Sequence, residues 1–149
     1  LLQVLPREKP LAELTRPRVA AFRAAAGRSG LGTIRMSLTA ESAATIAAGI
    51  KGRDVLPDAI VAHNDDYAAA LVAALLDAGI AVPDQIAVIG CDNTHWGASM
   101  RPALSTLAFD AKNAVAQFTQ VLHAIASGTA LPATLTPEVT ARVIHRQTT

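Results

Sequence analysis

The sequence predicts an α/β fold: a parallel sheet with helices on both of its faces. Three observations carry that prediction. Ile60–Val61–Ala62 and Ile86–Ala87–Val88–Ile89 are continuous apolar runs, each stopped by a polar cluster, His63–Asn64–Asp65–Asp66 and Cys91–Asp92–Asn93. Short unbroken runs bounded by turn residues mark strands buried on both faces. Between them lies a helical pattern, with Tyr67, Leu71 and Leu75 at i, i+4 and i+8, and two strands joined through a helix run parallel. In open parallel sheets ligands bind beyond the carboxyl ends of the strands. Asn64 and Asp92 are therefore the first candidate site residues.

Taken in order, Leu1–Leu5 reads as a strand and Arg7–Leu14 as a polar loop. Pro17 suits the first turn of a helix, where its missing amide costs nothing. That helix ends near Ala26, with Val19, Phe22 and Ala26 inward and Gly27, Arg28 and Gly30 closing it. Thr33–Met36 is a short strand. Ser37 or Thr39 caps a helix over about 40–50, with Glu41 at the positive end of its dipole. Gly52 and Pro57 bracket the loop before the central unit. There Asn64 or Asp65 caps the helix, Gly79 ends it in the left-handed conformation, and Pro83–Asp84 turns into the next strand. Residues 92–104 read as a long loop. Asp110 opens a helix over about 111–127 carrying Val115, Phe118, Val121, Leu122 and Ile125, and Gly128 ends it. Leu131–Pro137 is a loop and Val139–Ile144 a last strand.

Composition bounds the function classes. A chain of 149 residues is long enough for one domain with a core. It is 51% hydrophobic but only 3% aromatic, so alanine and branched aliphatics must build that core. A net charge of +1 leaves no electrostatic footprint for nucleic acid and no basic patch for a membrane surface. No apolar run approaches the ~20 residues of a membrane span. One cysteine cannot form an intramolecular disulfide. Cys91 and His95 lack the further ligands zinc needs and the third group that orients a nucleophile's base. No glycine-rich phosphate loop or nucleophile elbow is present. The reading is of a protein that is not an enzyme and carries no cofactor or metal.

His63–Asn64–Asp65 with Ala68, then Val82–Pro83, Ile86–Ala87–Val88–Ile89–Gly90, Asp92–Asn93 and Pro102–Ala103–Leu104–Ser105–Thr106–Leu107 form an ordered series. The series resembles the effector-binding core of the lac repressor family of bacterial transcription regulators. That family's pattern is roughly A-x-N-D, a helix, V-P, a strand ending in G-x-D-D or G-x-D-N, then P-x-L-T/S-T. The resemblance implies a periplasmic-binding-protein-like fold of two α/β subdomains with the effector in the cleft. It assigns 1–109 to the C-terminal effector-binding subdomain, 110–133 to a crossover helix belonging to the N-terminal subdomain, and 134–149 to a return strand. The DNA-binding headpiece, the hinge helix and most of the N-terminal subdomain would precede residue 1, so a piece of a longer protein is expected. The apolar stripe of helix 111–127 is then expected to be exposed, disordered or covered by another copy.

The resemblance also implies site residues. Effector contacts fall on Arg18, Asn64 and Asp92. Leu38 stands where many members carry an aromatic, and Phe109 where many carry a polar residue. Periodicity alone leaves Arg18 a surface arginine and Asn64 a helix cap. Asp65 reads as the structural neighbour. His63, in place of the usual alanine, reads as a strand-end histidine. Dimer contacts are expected at Tyr67, Trp96 and Met100. The implied function is small-molecule sensing, with a sugar as the effector, in a cytoplasmic homodimer that meets DNA only through the missing headpiece and has no membrane partner. The alternative is a periplasmic sugar-binding protein of a transport system, but Pro102–Leu107 matches the regulator pattern more closely.

Overall fold

The structure, a computed structural model, describes residues 1–8, 15–27, 32–110, 112–131 and 140–149, with residues 112–114 by backbone alone. Among the described residues eleven elements follow one another: β1 (Leu2–Pro6), α1 (Arg16–Ala26), β2 (Gly32–Met36), α2 (Ala40–Lys51), β3 (Ala59–Ala62), α3 (Asp65–Asp77), β4 (Ala87–Cys91), α4 (His95–Ser99), β5 (Ser105–Asp110), α5 (Lys112–Ser127) and β6 (Thr140–Ile144). The six strands form one sheet in the order β2-β1-β3-β4-β5-β6. The β1–β2, β1–β3, β3–β4 and β4–β5 pairs are all parallel. The chain leaves β1 for β2 on one side and returns to β3 on the other, so the strand order reverses between β1 and β3. A crevice opens at the carboxyl ends of strands where such a reversal occurs.

The chain divides into two compact units, Leu1–Leu107 with Val143–Thr149, and Ala108–Arg142. The core of the first lies on one face of its sheet. Leu2 and Val4 of β1, Ile60 and Ala62 of β3, and Val88 of β4 alternate inward against Ala43, Ala47 and Ile50 of α2 and Leu71, Val72 and Leu75 of α3. Alanines on both helices keep that contact close, as the low aromatic content requires. Across the sheet, Leu5, Thr33 and Arg35 line a groove with Arg16, Val19, Ala20 and Arg23 of α1, so helices cover both faces. That second cover is thin: α1 has no fully buried residue, and the inward trio Val19, Phe22 and Ala26 is only half-buried.

Local signals account for the ends of the helices. Thr39 Oγ1 accepts the Ser42 amide at 3.2 Å, capping α2. Gly79, at φ 78°, closes α3: its amide reaches Leu76 O at 2.9 Å and that of Ile80 reaches Leu75 O at 2.9 Å, the paired bonds of a left-handed helix stop. In the second unit, α5 ends the same way at Gly128, and Val115, Phe118, Leu122 and Ile125 along it are exposed.

Two elements differ from the sequence reading. The loop assigned to 92–104 contains α4, and β5 runs through a stretch to which no element had been given. Thr94 Oγ1 caps α4 by accepting the Gly97 amide at 3.3 Å. Five residues are too few to show a helical period, so the cap was the only local signal. The expected loops over 9–14 and 132–137, the residues Arg28 and Gly30, and Val139 lie outside the described residues.

The strand ends are tied together by one buried side chain. Asp65, the first residue of α3, is 0% exposed. Its Oδ2 accepts the Thr94 amide at 2.7 Å and the Thr94 hydroxyl at 2.9 Å; its Oδ1 accepts the Thr106 hydroxyl at 2.6 Å. One carboxylate thus joins α3, the start of α4 and β5. Gly90 on β4 passes so close that an added Cβ would collide with the Asp65 carboxylate and press on Leu104. The C-terminal segment seals the same layer: Thr148 Oγ1 donates to Val88 O at 2.7 Å and accepts the Ser105 amide at 2.8 Å.

Urea unfolding checks this hierarchy. Leu71→Ala, which opens a cavity in the core, is expected to lose about 2–5 kcal/mol. Asp65→Ala is expected to lose about 3 kcal/mol because it removes the acceptor of two hydroxyls and an amide. Gly90→Ala should destabilise by about 1–3 kcal/mol through overpacking. Wild-type midpoints in Asp65→Ala and Gly90→Ala would reject the carboxylate as an organising contact.

Candidate functional site

The sheet's carboxyl end is built from residues that follow β2, β3 and β4 and from the first turn of α1. Arg18 donates from Nη1 to the main-chain oxygen of His63 at 3.0 Å. This bond ties α1 to the end of β3, and it answers why a cation stands at a helix N-terminus, where the dipole disfavours it. Asn64 caps α3, its Oδ1 accepting the Tyr67 amide at 3.1 Å. Asp92 follows β4 at φ 104°, and Asn93 follows it at φ 52°. Side chains rarely tolerate the first of these, so the surroundings must hold it. The Asp92 amide donates to Leu107 O at 2.8 Å, and that of Asn93 to Thr106 Oγ1 at 3.2 Å. Asn93 Oδ1 accepts from Arg146 Nη2 at 2.7 Å.

Electrostatics relates these groups to one another. Arg18 and Asp92 both act on His63 and on Cys91, so a cation and an anion lie within reach of the same two side chains. The His63 imidazole is held below its ordinary value, by burial first and by the Arg18 charge second, with Asp92 opposing. Burial, then the Asp92 charge, pushes the Cys91 thiol up to about 12, and its Sγ donates to Asp92 Oδ1 at 3.4 Å. A thiol held that high stays protonated at neutral pH and presents no thiolate to His95.

Arg18, Asn64 and Asp92 are thus brought to one end of one sheet. Leu38, two residues beyond β2, is exposed at the carboxyl end of that neighbouring strand. Phe109 is exposed on β5 but belongs to the second compact unit, so the first unit builds this sheet end without it. Tyr67 corrects an expectation: it is 3% exposed and part of the core, not a surface contact. Its hydroxyl donates to Glu8 Oε2 at 3.1 Å and its ring meets that of His63 edge-on at 5.7 Å. Trp96 is 44% exposed on α4, and Met100 is half-buried against the core. Sequence reasoning missed Thr94, Thr106 and Arg146, which hold the Asp92–Asn93 turn. Only Thr94, a hydroxyl just before a short helix, left a local signal; the other two act over long separations.

Comparison with known proteins adds the family. The profile described as periplasmic binding protein-like domain matches residues 3–149. The HTH-type transcriptional regulator AscG of Escherichia coli is 34% identical over 96 residues, which is 60% of this chain and 28% of that protein. The crystal structure of the E. coli repressor ascG superposes with a TM-score of 0.78 at 23% identity, over 99% of this chain and 55% of its own. A LacI family transcriptional regulator from Arthrobacter sp. FB24, in complex with lactose, superposes with a TM-score of 0.76 at 27% identity, over 99% of this chain and 56% of its own. This chain therefore spans little more than half the length of those solved chains. These similar proteins are described as transcription regulators. The chain belongs to the periplasmic binding protein-like domain family.

Proposed function

We propose that this chain senses a neutral, hydroxyl-rich small molecule, a sugar, at the carboxyl end of its sheet, and that it does so for a cytoplasmic transcription regulator. The observation that carries this reading is the grouping of Arg18, Asn64 and Asp92 beyond β3 and β4, on the side of the strand-order reversal. A guanidinium fork and a carboxylate supply donors and acceptors suited to vicinal hydroxyls. Their opposite charges leave the site without a net field to favour an ion. Leu38 supplies an apolar wall. Helix α5, with its exposed stripe, is assigned on the family resemblance to the neighbouring subdomain, and Phe109 to the end of the effector-binding one. DNA would be met through a headpiece outside this chain. Effector binding would change DNA affinity only to the extent that the effector prefers one of two arrangements of the regulator.

Titration calorimetry of the full-length gene product with lactose, glucose and ribose tests the site. Arg18→Ala and Asp92→Ala are each expected to weaken the best of these by about tenfold or more with little change in melting temperature. Wild-type affinity in both variants would reject the site.

We further propose that the chain self-associates as a two-fold dimer through the surface around α3 and α4. Trp96 supports this, as a large, partly exposed aromatic of the kind enriched at interfaces. The alanine-lined groove across α2 and α3 also supports it, since small side chains allow close approach. Sedimentation at tens of micromolar should give a dimer that Trp96→Ala weakens and polar changes on α5 do not. A monomer across the concentration range would overturn the proposal.

A further inference from the structure

His63 is the side chain at the sheet's carboxyl end for which the function above has no use. It occupies the position directly after β3, between the core residue Ala62 and the cap Asn64. Its main-chain oxygen is engaged by Arg18, and its ring stands edge-on to Tyr67 at 5.7 Å. Arg18 approaches from α1, Asp92 from the end of β4, and Tyr67 from α3, with Glu8 behind the Tyr67 hydroxyl. The imidazole therefore sits among the groups assigned to ligand binding.

Its two nitrogens are in different situations. Nδ1 is buried and has no hydrogen-bond partner. Nε2 is not buried in that way, and the ring as a whole is partly exposed. A proton on Nδ1 would leave a buried N–H without an acceptor, a rare and unfavourable arrangement. A proton on Nε2 leaves Nδ1 as a bare lone pair and turns a donor toward the accessible edge. Double protonation would add a second cation beside Arg18 and orphan the same buried N–H. All three considerations select one form, the neutral ring with its proton on Nε2.

We propose that His63 is a specificity-determining residue of this site, its Nε2–H donating a hydrogen bond to an oxygen of the bound small molecule. The inference rests on the sugar-sensing reading above. It adds a donor distinct from Arg18 and uncharged, suited to a hydroxyl or ring oxygen. A ligand whose matching position carries only hydrogen leaves that donor unmet once water is excluded, and so binds less tightly.

Two variants separate this role from packing. His63→Phe keeps a ring edge against Tyr67 and removes both nitrogens; His63→Gln restores an amide donor near the position of Nε2. With lactose, glucose and ribose as probes on the full-length gene product, His63→Phe is expected to weaken the best sugar about tenfold. His63→Gln should recover most of that loss, with melting temperatures of both close to wild type. Imidazole nitrogen resonances at neutral pH should report the Nε2–H form, and the Nε2 signal should shift on saturation with that sugar. If the sugars bind wild type and His63→Phe equally, or if the ring carries its proton on Nδ1, the role of His63 is overturned while the sugar-sensing reading stands. If none binds the wild type, both fall.

Discussion

The buried carboxylate of Asp65 is the constraint on which the carboxyl end of the sheet depends. A carboxylate with no access to water must find its donors within the protein, since each unmet interaction costs about 1–3 kcal/mol. Here the donors are the amide and hydroxyl of Thr94 and the hydroxyl of Thr106. They come from segments that follow β4 and begin β5, so satisfying one side chain fixes the ends of two strands relative to α3. Gly90 belongs to the same arrangement because no side chain fits between β4 and that carboxylate. Most of the ordered motif series that resembles the lac repressor family therefore meets at one point in space. Its regularity in sequence is the trace of a local packing problem with few solutions.

The network matters to the proposed site because the groups assigned to it do not hold themselves in place. Asp92 stands in a backbone conformation that side chains disfavour, at a cost of order 1–3 kcal/mol. It is kept there by its own amide bond to Leu107 and by the two anchors on Asn93, Thr106 and Arg146. Thr106 is itself held by Asp65, so the strain at Asp92 is paid for one layer below the site. Arg146 brings in the C-terminal segment, which also donates from Nη1 to Leu104 O at 2.7 Å. A turn supported from three directions presents its carboxylate with little freedom, which lowers the entropy lost on binding.

Much of this was legible in the sequence and some was not, for separable reasons. The strands β3 and β4 and the helix α3 were readable because periodicity, a cap at Asn64 and a left-handed stop at Gly79 are all local. Asn64 and Asp92 followed from topology, since parallel strands put their carboxyl ends together, whereas Arg18 was assigned only by what the resemblance implies. The helix α4 was not readable because five residues carry no period. The strand β5 was missed because Ser105 and Thr106 make its first half polar, yet both are buried and hydrogen-bonded. Tyr67 stands where its stripe with Leu71 and Leu75 puts it, in the core; only the resemblance placed it at a dimer contact. Its ring lies against His63, four residues earlier, and its hydroxyl reaches the distant Glu8.

The division between scaffold and site bears on where ligand specificity resides. Asp65, Gly90, Asn93 and Thr106 match the family pattern and are spent on one another, so they cannot distinguish one ligand from another. Discrimination must come from side chains that reach the accessible end of the sheet without being committed below it. Arg18 reaches that end from α1, and Asp92 keeps a carboxylate oxygen beyond its contact with Cys91. Leu38 and His63 depart from the pattern, as Phe109 does, and the first two depart in complementary ways. An aliphatic side chain at Leu38 offers dispersion but no π face for a sugar ring to stack on. Losing that contact shifts the balance of recognition toward polar groups, and His63 places an additional one between Arg18 and Asp92. Such a site selects by where a ligand's oxygens lie more than by the shape of its apolar face.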